Sequence, residues 1–174
     1  MADIEWGSIA DWVSGIGSLT AATVALYVAH SSQRVRLRAH CGHRLIIGID
    51  HPREDVFTVT ATNVSQRPTV VTNIGFTFGV WRWKQHGIFN FIQDDIGHGI
   101  PKPLVDGESG TWSARLGPDN HWVKDLVEKL QVNWWSVLTW RIHIHTSNGG
   151  TTTVRPERNI RDMLLAEIAA RKIS

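Results

Sequence analysis

Hydrophobic and polar positions follow three regimes along the chain. From Trp12 to Ala29 the residues WVSGIGSLTAATVALYVA run without a charge, an Asn, a Gln or a Pro. An α-helix of that length reaches about 27 Å, close to the ~30 Å hydrocarbon core of a bilayer. Beyond Leu45 the period shortens. Phe57 to Thr62, FTVTAT, alternates apolar and hydroxyl side chains as a half-buried strand does. Further strands are predicted at Leu45–Ile49, Thr69–Trp83, Ile88–Ile92, Thr111–Leu116, Val137–His145 and Thr151–Arg155. Turn chemistry separates them at Asn63–Pro68, Lys84–Gly87, Val105–Gly107 and Asn148–Gly150. Pro118-Asp119-Asn120 opens a helix predicted over 119–131, with Trp122, Leu126, Val127 and Leu130 at helical spacing. After Pro156 the helical period returns, and Ile160, Met163, Leu164 and Ile168 form the apolar stripe of a terminal helix.

These regimes divide the chain into a short segment 1–11, a transmembrane helix 12–29, a basic juxtamembrane linker 30–44, a β domain 45–155 and an amphipathic C-terminal helix 156–174. Several short, turn-separated strands in one block predict a mainly β fold, an antiparallel sandwich with one inserted helix. The stretch TATNVSQRPTVVTNIGF, Thr60 to Phe76, followed by LVDGESGTWSARL, Leu104 to Leu116, resembles the strand–turn–strand pattern of bacterial immunoglobulin-like domains. There an Asn-x-Ser turn with a following Pro joins two strands, and a later Asp-Gly-Glu-Ser step opens another. With its N-terminal anchor, the chain is similar to small membrane-anchored proteins of bacteria and their phages. The resemblance implies an immunoglobulin-like sandwich and no particular activity. The inserted helix and the Trp-rich hairpin depart from the plain pattern.

Charge decides the expected topology. Asp3, Glu5 and Asp11 precede the apolar run and Arg34, Arg36 and Arg38 follow it, the reverse of a cleaved signal peptide. The positive-inside rule then puts the N-terminus outside and the β domain in the cytoplasm, with the arginines at the headgroups and Trp12 and Tyr27 near the two interfaces. The single cysteine, Cys41, fits a reducing compartment. Gly17, Ala21 and Ala25 fall four apart on one helix face, where small residues let helices approach closely in lipid, so a homo-oligomer is expected. Overall, 18 Lys and Arg against 16 Asp and Glu is too even a balance to imply a nucleic-acid partner.

Candidate chemistry is sparse. His143-x-His145 shares a strand face, and His40-Cys41-Gly42-His43 packs three ligand types into four residues, but neither has the spacing of a zinc site. No cofactor or metal is expected. There is no nucleophile elbow, phosphate loop or dinucleotide motif, and adjacent Asp94 and Asp95 would point to opposite strand faces, so an enzyme is not expected. Trp81, Arg82 and Trp83 form a candidate contact surface, and Trp134, Trp135 and Trp140 cluster near a predicted strand start. The function expected is a membrane-anchored interaction module that binds a protein partner or assembles with itself. The alternatives are a structural protein of a phage virion, an oligomerising membrane-disrupting effector and a metal-dependent enzyme.

Overall fold

The structure is a computed structural model that describes residues 9–32, 34–47, 53–80, 82, 84–91 and 93–173. The chain divides into two compact units, one ending at Arg34 and one running from Val35 to Ser174.

The first unit is helix α1 (Ile9–Ser32). Its 24 residues span about 36 Å at 1.5 Å per residue, so the helix is long and apolar enough to cross a membrane. Apolar residues surround it without a polar face, and Trp12, Ile16, Leu19, Leu26 and Tyr27 are all exposed. Thr20 and Thr23 donate their hydroxyls back to the Ile16 and Leu19 carbonyls at 2.8 Å, which satisfies these polar groups within the helix.

The second unit is built from antiparallel strands in two sheets. The first sheet has the order β1 (Leu37–Ile46), β2 (Glu54–Asn63), β6 (Ser109–Arg115). The second has the order β4 (Gln85–Ile88), β3 (Thr69–Phe78), β7 (Arg141–Thr146), β8 (Thr151–Val154), with β5 (Lys102–Leu104) also paired to β3. Alternation decides which side chains enter the core. On β2, Phe57, Val59 and Ala61 are buried, while Thr60 and Thr62 meet Thr111 and Ser109 in a cross-strand hydroxyl ladder at 3.2 and 2.7 Å. Phe57 and Val59 share one core cluster with Ile74, Phe76 and Phe78 of β3 and Ile142 and Ile144 of β7, so both sheets contribute to the same interior. Among the described residues, the core cluster runs from Cys41 to Ile168, which gives the Val35–Ser174 unit its own core and the means to fold alone.

Three further helices complete this unit. A 3-10 turn at Pro118–Asn120 leads into α2 (His121–Lys129), which buries Val123 and Val127. The predicted strand start at Val137 is replaced by a short helix, α3 (Trp134–Leu138), because the Asn133 side chain accepts hydrogen bonds from the backbone and hydroxyl of Ser136 at 2.9 and 3.0 Å. Strand β7 then begins at Arg141. Helix α4 (Arg158–Ile173) buries Ile160, Leu164 and Ile168, the stripe expected from its periodicity.

Two other boundaries differ from expectation. The basic stretch 30–44 is only partly a linker, since β1 begins at Leu37 and carries Arg38, His40, Cys41, His43 and Arg44. The turn expected at Lys84–Gly87 falls earlier: β3 ends at Phe78, Gly79 takes a φ of 84°, and Gly87 lies within β4 opposite Phe76. A Cβ at Gly87 would collide with the Phe76 ring, so glycine is required there for close packing rather than for turning. Ile88 ends β4, and Phe89 and Phe91 enter the core from irregular backbone.

Candidate interaction surfaces

Helix α1 carries the membrane and self-association candidates. Trp12 and Tyr27 are 61% and 72% exposed, and Gly17, Ala21 and Ala25 are exposed along one stripe. Around Gly15 and Gly17 a Cβ would meet no atom within 4 Å, so nothing within the chain requires glycine at either position. Beyond the helix, the Arg34 guanidinium lies 3.3 Å from the His30 ring. The Arg36 carbonyl accepts from Val64, and Arg38 is exposed on β1 opposite Thr62.

The residues around Cys41 form a structural joint. Cys41 is fully buried, and that burial, followed by the nearby Glu157 carboxylate, pushes its thiol up to about 12. The Arg44 guanidinium grips Glu157 through two hydrogen bonds of 2.6 Å. Asn159 accepts from the His43 N–H at 3.2 Å and donates to the His43 carbonyl at 2.9 Å, and the Glu157 N–H donates to the Cys41 carbonyl. The start of α4 thus occupies backbone groups on the open edge of β1. His43 turns instead to Asp55 at 2.7 Å. Among the described residues, no group of three or more His, Cys, Asp or Glu is arranged to hold a metal.

The resemblance-bearing motif is a second joint. Asn63 is fully buried; its amide donates to the carbonyls of Arg67 and Leu104 at 2.7 and 3.1 Å, and its oxygen accepts from the Ser65 N–H and hydroxyl. Its backbone pairs with Glu108 and Gly107. The Glu108 carboxylate caps Val105 and meets Lys102, and these two hold it below the usual carboxylate range. Asp94 closes a local turn onto Ile96, and Asp95 pairs with Arg115, which also holds Glu54. The two aspartates therefore act apart.

The outer face of the second sheet brings together residues that lie far apart in the sequence. His143 and His145 stand beside one another on β7 with ring centroids 6.4 Å apart, each accepting from or donating to a β8 hydroxyl, Thr153 or Thr151, at 3.0 Å. Across the sheet, register places Thr77 between Arg141 and His86, and Thr77 also bonds His143 at 2.9 Å. Burial, then His145, His86, Lys84 and Arg141, depress the His143 pKa. Strands β3, β4, β7 and β8 contain no Asp or Glu, and the sequence has none between Asp55 and Asp94 or between Glu128 and Glu157. Those gaps were the signal available in the sequence for this face.

The tryptophans separate into two classes. Trp112 and Trp140 are fully buried, with Trp140 stacked near Phe57 and Phe78. Trp134 and Trp135 are 45% and 62% exposed and stack on each other at 3.9 Å; Trp135 borders a cleft with Val80 and Gln85. Arg82 is exposed, whereas Trp81 and Trp83 lie outside the described residues.

Comparison with protein-family models and with curated proteins finds no match. Among solved structures, the chain is similar to a Bordetella pertussis protein provisionally named ApaA at 14% identity and a TM-score of 0.33, over 71% of this chain and 89% of that one. A similarity at that level transfers neither fold nor function.

Proposed function

We propose that the protein is a single-pass membrane protein, N-terminus outside, whose cytoplasmic β unit acts by binding a protein partner, further copies of itself included, rather than by catalysis. The observation that carries this reading is α1, an apolar helix of 24 residues with its threonine hydroxyls satisfied internally. The orientation is supported by Arg34, Arg36 and Arg38 after the helix and Asp11 at its start. The β unit is read as an immunoglobulin-type sandwich. Its strand orders, β1-β2-β6 and β4-β3-β7-β8, support that by matching A-B-E and C′-C-F-G of such domains.

Protease protection tests the orientation. In spheroplasts the β unit is expected to resist added protease, and in inverted membrane vesicles it is expected to be cleaved. Cleavage in spheroplasts would reverse the topology and remove the cytoplasmic partner with it.

A further inference from the structure

The outer face of the β4-β3-β7-β8 sheet has a polarity that folding does not require. A solvated sheet face normally mixes both signs of charge, whereas here the titratable groups are exposed Lys84, His86 and Arg141 and half-buried His143 and His145, beside exposed Ile88 and the hydroxyls of Thr151 and Thr153. Neighbouring strands lie about 4.8 Å apart, so four strands spread these groups over about 15 Å. No carboxylate on the four strands neutralises them. Helix α3, shortly before Arg141 in the chain, carries the exposed and mutually stacked Trp134–Trp135 pair; Trp135 borders a cleft with Phe78 and Gln85, and the Arg155 guanidinium donates to the last carbonyl of α3 at 3.3 Å.

We propose that this face, flanked by Trp134 and Trp135, docks on an anionic lipid surface. The charge is complementary to anionic headgroups, and each cation brought to such a surface multiplies affinity by about fivefold. Tryptophan pairs an apolar body with one N–H donor and prefers the lipid–water boundary. Two alternatives fit less well. A protein partner would need an apolar centre on the face, and Ile88 is the large apolar side chain exposed there. A single nucleic-acid strand would need aromatic platforms set among the cations, whereas the two indoles stack on each other at the rim. The proposal takes its setting from the membrane reading above, but its test uses the β unit alone, so the two can fail separately.

Residues 35–174, which own the whole core, are mixed with vesicles of pure phosphatidylcholine or of phosphatidylcholine with about 30% phosphatidylserine, and sedimentation reads the bound fraction. Binding to the anionic vesicles alone is expected. Lys84→Glu with Arg141→Glu should weaken it at least tenfold, as should replacing both indoles by Trp134→Ser and Trp135→Ser, while Lys84→Arg retains it. Unchanged melting temperatures in these variants, whose sites are exposed, confirm that folding is intact. Equal binding to both vesicles, no binding to either, or variants that bind as the parent would overturn the proposal. So would capture of a thymidine oligonucleotide, lost through the same charge reversals, in place of anionic vesicles.

Discussion

Arg44 and Glu157 meet through two hydrogen bonds of 2.6 Å, and with Asn159 they hold the first turn of α4 against the open edge of β1. An edge strand otherwise offers unpaired backbone to other chains, and here the carbonyl of Cys41 and both backbone groups of His43 are taken. This joint fixes the terminal helix and closes the edge at once.

The pair makes stability depend on acid. Its hydrogen bond to Arg44 holds the Glu157 carboxyl below its usual range, against opposing burial. A depressed carboxylate stabilises the folded state above its unfolded pKa, and that contribution disappears as pH falls through the folded value. With both side chains over a third exposed, at 40% and 37%, the pair is worth about 1 kcal/mol. Thermal melting of wild type and Glu157→Gln should therefore differ by a few degrees at pH 7, and the difference should vanish in acid as the pH falls through the lowered Glu157 pKa.

Asn63 is a buried polar position in the β unit whose side chain holds a turn together. Asn63→Ala leaves the Arg67 and Leu104 carbonyls and the Ser65 hydroxyl without their partner in a buried turn. A loss of about 2–3 kcal/mol follows, read as a lower denaturant midpoint at unchanged slope.

Cys41 reports on unfolding. With its thiol pushed up to about 12 and its side chain fully buried, it should not react with a disulfide reagent in the native protein at pH 8. In denaturant, one thiol per chain should react promptly. Fast labelling of the native protein would show that the β1–α4 joint opens.

On α1, the open space around Gly17 predicts a surface available to another helix. Gly17→Leu should reduce crosslinked dimer in membranes or detergent several-fold, while the melting of the β unit stays unchanged. Equal crosslinking would place self-association elsewhere.

Local chemistry was legible in the sequence, and chemistry that depends on partners was not. The α4 stripe and the Pro118 helix start follow from spacing within one element. The Asn63 and Glu108 turns follow from side chains that bond their own neighbourhood. Strand β1 was hidden because Arg38 and His40 alternate with Leu37, Ala39 and Cys41 inside a stretch whose charge suggested a linker. Helix α3 was hidden because Trp134, Trp135 and Val137 favour strands, and the Asn133 cap outweighs them. The displaced β3–β4 turn depended on the Phe76 ring, which sits eleven positions before Gly87. The cationic sheet face appears only once register brings His86 and Arg141 to either side of Thr77.

Alkaline extraction of bacterial membranes carrying the full chain tests the central claim most directly. A spanning α1 keeps the protein in the pellet at pH 11, and Leu19→Arg with Val24→Arg, at about 3 kcal/mol per buried charge, shifts it to the supernatant. Release of the unaltered chain into the alkaline supernatant would contradict the account.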